Sequence, residues 1–159
     1  MDEFVNNFIT KIDEYFKKLS AIESAKSGIR TAEGKWAPRE IIGHLIDSAA
    51  NNHQRFVRIQ QEGDSYFPLY AQEEWVRVQS YNSESWEQLL NLWKYYNLHI
   101  AHVVRNIPDP ALKNKISNFT SEEVSWIPAK DESSFTLEYL IRDYEGHLVH
   151  HLDQIFKVL

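Results

Sequence analysis

An all-α four-helix bundle is the fold this chain predicts, on three observations. Apolar residues recur at three-to-four spacing in four long stretches, no stretch alternates convincingly at the two-residue period of a strand, and two connections are long enough to cross the end of a bundle. At 159 residues, 43% apolar and 13% aromatic, with no internal repeat or linker, residues 1–159 read as one domain with a substantial core.

The first helix is expected over 3–19, where Phe4, Phe8, Ile9, Ile12, Tyr15, Phe16 and Leu19 share a face and Asp2 can serve as N-cap. Ser20 to Lys35, with Gly28 and Gly34, reads as a connection with room for one helical turn. Pro38 opens the second helix at a position where its missing N–H costs nothing, although Ala37 is a poor N-cap.

Measured from His44 along that second helix, Asp47, Ser48, Asn51 and Arg55 fall within about 60°, at roughly 100° per residue. Leu45, Ile46, Ala49, Ala50, Phe56 and Val57 take the other side, and His53 lies nearly opposite His44. Two readings of the polar stripe stay open. The commoner one is the wet face of an amphipathic helix; the other is the wall of a polar cleft, with His44 as a metal ligand.

From Gly63 to Asn82 the pattern breaks, first at Asp64-Ser-Tyr-Phe-Pro-Leu-Tyr70, with a short helix expected over Gln72 to Gln79. A third long helix follows Ser85, where Ser85-Trp-Glu-Gln88 has the form of a capping box. Its apolar stripe runs Trp86, Leu89, Leu90, Trp93, Tyr96, Ile100, Val103, Val104, Ile107, which leaves His99 and His102 facing solvent. Pro108 and Pro110 end it, Asp109 is placed to cap a brief helical piece through Ile116, and Ser117 to Ser134 forms a long aromatic-containing loop. The fourth helix begins at Thr136, with Phe135 and Leu140 as its hydrophobic staple.

That last helix carries the chemistry. His147 and His151 are one turn apart, so both imidazoles can reach one point in space. With His147 as zero, Leu137, Leu140, Ile141, Tyr144, Leu148, Leu152, Ile155 and Val158 occupy an arc centred roughly 70° round, and His151 lies at about 40°. Both histidines therefore point inward, whereas His150 falls outside the apolar arc and is solvated. A lone inward histidine is usually a core residue bonded to a carbonyl. Two stacked ones need partners for several ring nitrogens, and one shared cation would satisfy two of them.

Bundles build metal sites from side chains on facing helices, and His44 is the best third candidate. It lies about 9 Å along its helix from Pro38, and His147 to His151 lie roughly 12 to 18 Å from the end of theirs. Antiparallel packing of the two helices brings the levels together. Asp47 and Asp143 are available to orient ligands or shuttle protons, but solvated surface carboxylates are the commoner reading of each.

The segments Trp36-Ala-Pro-Arg-Glu-Ile-Ile-Gly-His44-Leu-Ile-Asp-Ser-Ala, Trp75, Ser85-Trp-Glu-Gln-Leu-Leu and Gly146-His-Leu-Val-His-His151-Leu together resemble the DinB/YfiT-like family of metalloenzymes, over nearly the whole chain and in the family's order. The resemblance implies an up-down-down-up bundle, commonly a homodimer, with a divalent metal on His44, His147 and His151. It further implies a metal-dependent hydrolase, or a transferase using a low-molecular-weight thiol such as bacillithiol. Ala37, where relatives often carry Ser or Thr, departs from the pattern in a way that touches capping rather than chemistry.

Three neutral imidazoles leave a metal open positions, which suits catalysis on water or a bound thiol. Zinc or nickel comes first, with iron and manganese open as well. The chain has no cysteine, so disulfides and a protein thiol nucleophile are excluded and any sulfur must arrive on a small molecule. The expected partner is therefore a small-molecule substrate. A net charge of −6 without a basic cluster argues against nucleic acid. No apolar run approaches membrane-span length and the N-terminus lacks signal-peptide features, so the expected location is cytoplasmic, without membrane attachment. The alternative from another class is a non-catalytic metal-binding or dimerising bundle. A fourth protein ligand, or histidines held only by carbonyls, would favour it.

Overall fold

The computed structural model describes residues 1–61 and 66–157, all eight α-helices among them: α1 (Asp2–Ser20), α2 (Ser24–Ser27), α3 (Pro38–Arg58), α4 (Gln72–Gln79), α5 (Trp86–Arg105), α6 (Asp109–Leu112), α7 (Ser121–Val124) and α8 (Leu137–Lys157). A single 3-10 turn, Tyr81–Ser83, links α4 to α5. The four long helices α1, α3, α5 and α8 form the bundle, and no strand occurs among the described residues. Gly63, Asp64 and Ser65, where the pattern was expected to break, and Val158 of the inward arc lie outside the described residues.

Local signals act much as the sequence suggests. Pro38 is the first residue of α3, and the Glu40 carboxylate accepts a hydrogen bond from the Ala37 N–H at 2.8 Å. Alanine has no side-chain oxygen to return the bond, so only half of a capping box forms. Ser85 caps α5 by accepting from the Gln88 N–H, and Thr136 Oγ1 accepts from the Tyr139 N–H at the start of α8. Phe135 and Leu140, the expected staple, are both buried. Two caps were misplaced. Asp2 is the first residue of α1, preceded by Met1, and Asp109 is the first residue of α6, preceded by Pro108, so each acid sits in the first turn facing the helix dipole instead of capping it. The helical piece after Asp109 also ends at Leu112, short of Ile116.

Helix α3 packs against both α5 and α8, and α1 packs against α5. Phe8 and Ile12 of α1, Leu45 and Phe56 of α3, Trp93 and Ile100 of α5, and Leu148 and Leu152 of α8 meet in the core. His44 lies beside His147 and His151, while Phe56, three turns further along α3, meets Tyr144 at 5.8 Å between ring centres. Helices α3 and α8 therefore run antiparallel, the arrangement that brings the histidine levels together. Lys11 pairs with Glu145, and Tyr15 donates to Asp153 at 2.5 Å, so α1 and α8 climb in the same direction.

Two irregular segments close over α3 and α8. Ser80, at φ 52°, takes the left-handed conformation that ends α4 and returns Tyr81 to the face of α3. The loop after α7 is pinned to α8 by Asp143, whose two oxygens accept from the Trp126 and Ile127 N–H groups at 2.7 and 2.8 Å. Tyr139 donates to the Ile127 carbonyl from the same helix.

Candidate metal centre

His44, His147 and His151 converge. Their ring centres are 5.1 Å (44 to 147), 4.8 Å (44 to 151) and 4.5 Å (147 to 151) apart. The His44 Nε2 and His147 Nε2 atoms are 3.2 Å apart, and one ring nitrogen from each residue lies within 4.8 Å of the other two. Two nitrogens bound to one tetrahedral zinc at about 2.0–2.1 Å would sit about 3.3 Å apart. The closer pair already has that spacing, and the third imidazole reaches it by a shift on the order of 1 Å. Among the described residues no other set of histidine and carboxylate groups is placed to share a cation.

The rings are held as neutral bases. Burial pushes His44 down to about 3 and His147 to about 2, and neighbouring imidazoles push the same way. Burial also lowers His151, opposed by its bond to Gln154. Gln154 Oε1 lies 2.9 Å from His151 Nδ1, and its Nε2 lies 3.0 Å from His150 Nε2. With the His151 Nδ1–H donating to that oxygen, the lone pair remains on Nε2, the atom a metal would take. Ser48 Oγ stands 3.5 Å from His147 Nδ1. Among the described residues His44 Nδ1 is buried without a partner, and none of the three rings is bonded to a backbone carbonyl. Two facing Nε2 lone pairs repel one another unless a proton or a cation lies between them.

Aromatic rings wall the site. Trp36 is centred 5.0 Å from the His44 ring, and Trp126 6.3 Å from His147 and 5.0 Å from His150. A cavity of about 230 Å³ opens from the triad, with His147, His151, Ser48, Arg55, Tyr70 and Trp126 among its lining.

The wet-face reading of α3 is overturned. Asp47 and Ser48 are 3% exposed, Arg55 5% and Asn51 8%, because α4, the 3-10 turn and the α7 loop cover that face. Asp47 accepts from Tyr81 Oη at 2.7 Å and Gln79 Nε2 at 2.8 Å. Asn51 turns back to the Asp47 carbonyl, and Arg55 donates to the Val124 carbonyl. Asp47 and Asp143 are likewise not solvated carboxylates. Burial pushes both upward, against the hydrogen bonds each accepts, and both brace covering segments. His53, opposite His44, packs half-buried against Tyr96 and His99, while His99, His102 and His150 are exposed as expected.

Sequence reasoning missed Gln154, Trp126 and Tyr81 as parts of the site. Gln154 carried a signal, being three residues after His151 and four after His150 on one helix. Trp126 and Tyr81 carried none, since both arrive on irregular segments.

No family model and no curated protein matches the sequence. Solved structures do match by fold. YfiT from Bacillus subtilis, described as a probable metal-dependent hydrolase with an unusual four-helix bundle topology, aligns with a TM-score of 0.75 at 19% identity, over 99% of this chain and 87% of that one. A mycothiol-dependent maleylpyruvate isomerase aligns with a TM-score of 0.64 at 18% identity, over 93% of this chain but 59% of the isomerase, and a histidine-to-alanine variant of that isomerase aligns equally well. At such identities the likeness is one of fold, that of the YfiT four-helix bundle.

Proposed function

We propose that this chain, a bundle of the DinB/YfiT-like fold, is a metal-dependent enzyme in which His44, His147 and His151 hold one divalent cation and a small organic substrate enters the adjoining cavity. The observation that carries this is the convergence of three imidazoles kept neutral by burial, two of them lining an open cavity. When bound there, a divalent cation supplies a lowered pKa for water or a small-molecule thiol and so a nucleophile at neutral pH.

The chain's own residues do the rest. Gln154 sets the proton of His151 on Nδ1, and Ser48 stands beside His147 Nδ1, so both rings present Nε2 inward. Trp36 and Trp126 shield the imidazoles from water. The catalytic reading is preferred to a closed structural site because the carboxylates one helical turn from the histidines are engaged elsewhere, Asp47 by Tyr81 and Gln79 and Asp143 by two backbone N–H groups. No fourth histidine or acid joins the triad among the described residues.

Hydrolysis and thiol transfer both follow from such a site. The test assays purified protein, loaded in turn with zinc, nickel, manganese or iron(II), on activated esters and on 1-chloro-2,4-dinitrobenzene with cysteine, glutathione or mycothiol. Turnover abolished by a chelator and by His44→Ala is the expected result. Turnover unaffected by either, or none with any pair, counts against the enzyme and leaves the non-catalytic bundle.

A further inference from the structure

Arg55 is a buried cation with no anion bonded to it among the described residues. It is 5% exposed, on the wall of the cavity that also contains His147 and His151, and it forms no ion pair among the described residues. Its Nη1 donates to the Val124 carbonyl at 3.0 Å and lies 3.5 Å from Asn52 Oδ1. Among the described residues Nε is buried without an acceptor and Nη2 makes no bond. The Phe67 ring lies against the guanidinium, its centre 5.1 Å from the central carbon. Burial lowers the Arg55 pKa, opposed by Tyr70 and then by Asp143, but the Asp143 oxygens are bonded to two backbone N–H groups and act on the guanidinium only at a distance.

We propose that Arg55 is a specificity-determining residue that receives a carboxylate on the substrate or on its thiol co-substrate. An oxyanion set against Nη2 meets the donor that the described residues leave open, while Nε stays sealed behind it. A singly charged carboxylate suits the site better than a dianionic phosphate, because one guanidinium faces it while Glu122, Glu123 and Asp143 stand around the same cavity. Arg55 follows Ser48 by two turns on one face of α3, about 10 Å of axial rise. Since Ser48 stands beside His147, the carboxylate and the reacting centre are separated by a spacer of several bonds. The proposal rests on the metal-dependent reading for what reacts, but not for the binding of the carboxylate.

The test titrates 3-phenylpropionate and its uncharged analogue 3-phenylpropanamide into chelator-treated and zinc-loaded protein by calorimetry. The Arg55 Nε–H resonance is followed in 15N-labelled wild-type protein. We expect the carboxylate to bind at least tenfold more tightly than the amide with or without zinc, and to shift the Nε–H signal. The preference should fall to within twofold in Arg55→Gln and partly return in Arg55→Lys. The wild-type resonance decides the matter even if the variants do not fold. Equal binding of the two probes, no binding, or an unmoved Nε–H signal overturns the proposal. A preference that needs zinc and survives Arg55→Gln puts the carboxylate on the metal, overturning the role of Arg55 and leaving the metal reading intact. Inorganic phosphate displacing the probe better than acetate overturns the choice of carboxylate.

Discussion

Gln154 accepts at Oε1 from His151 and directs its Nε2 to His150, so one amide fixes which nitrogen of a candidate ligand stays free. Gln154→Leu keeps the size and removes the acceptor. We expect zinc affinity to fall by about 10–100-fold, the usual effect of losing a hydrogen bond that orients a ligand, read by competition with a chromophoric chelator; unchanged affinity contradicts that role. The imidazoles also set a pH dependence in metal-free protein. His44 at about 3 and His147 at about 2 lie below the ordinary 6.5, so as pH falls the unfolded chain takes up protons that the folded chain refuses. Their contribution to stability is complete above about pH 6.5 and is lost below it, at about 1.4 kcal/mol per pH unit for each such ring. The raised carboxyls of Asp47 and Asp143 act in the opposite direction, adding stability as pH falls. Urea unfolding at pH 7 and 5.5 should show the loss; equal stability at both would mean the rings are not buried bases.

Each Gly-His pair in the helices lets an aromatic ring lie against the turn that carries a candidate ligand. A Cβ on Gly43 would sit 2.1 Å from Tyr81 Cδ2, and one on Gly146 3.3 Å from Trp126 Cζ3. Tyr81 is buried and bonded to Asp47, with nowhere to retreat, whereas Trp126 is partly exposed. Gly43→Ala should therefore cost at least the 1–3 kcal/mol typical of overpacking, and Gly146→Ala distinctly less, as measured by thermal or urea unfolding; equal effects would contradict the tight seating of Tyr81. Element boundaries were legible where proline opens α3 and Ser85 caps α5, whereas the N-cap rule put Asp2 and Asp109 one position ahead of the helices that they in fact begin. The inward arc of α8 was legible because helical periodicity is local. The state of the Asp47 to Arg55 stripe was not. A helical wheel says which side chains share a face and is silent on what covers them. The cover here comes from α4, Tyr81 and the Trp126 loop, separated from α3 by tens of residues.

At the scale of the molecule, the site exists because α3 and α8 run antiparallel at matching levels, so a histidine two turns into one helix meets a pair near the end of the other. The sequence contained all three imidazoles and their spacing; pairing across helices depended on topology, which the family resemblance suggested and the contacts between α3 and α8 show. The two covering segments convert an amphipathic helix face into a cavity wall, and so place a buried arginine beside a set of neutral bases. All of this bears on one claim, that His44, His147 and His151 act together on a single divalent cation. Elemental analysis of the purified chain beside His44→Ala, His147→Ala, His151→Ala and the exposed control His150→Ala tests it most directly. The account predicts about one metal per chain in the parent and the control, as a single three-imidazole site requires, and background levels in the other three. Equal metal content in all five proteins, or none in the parent after reconstitution, would contradict it.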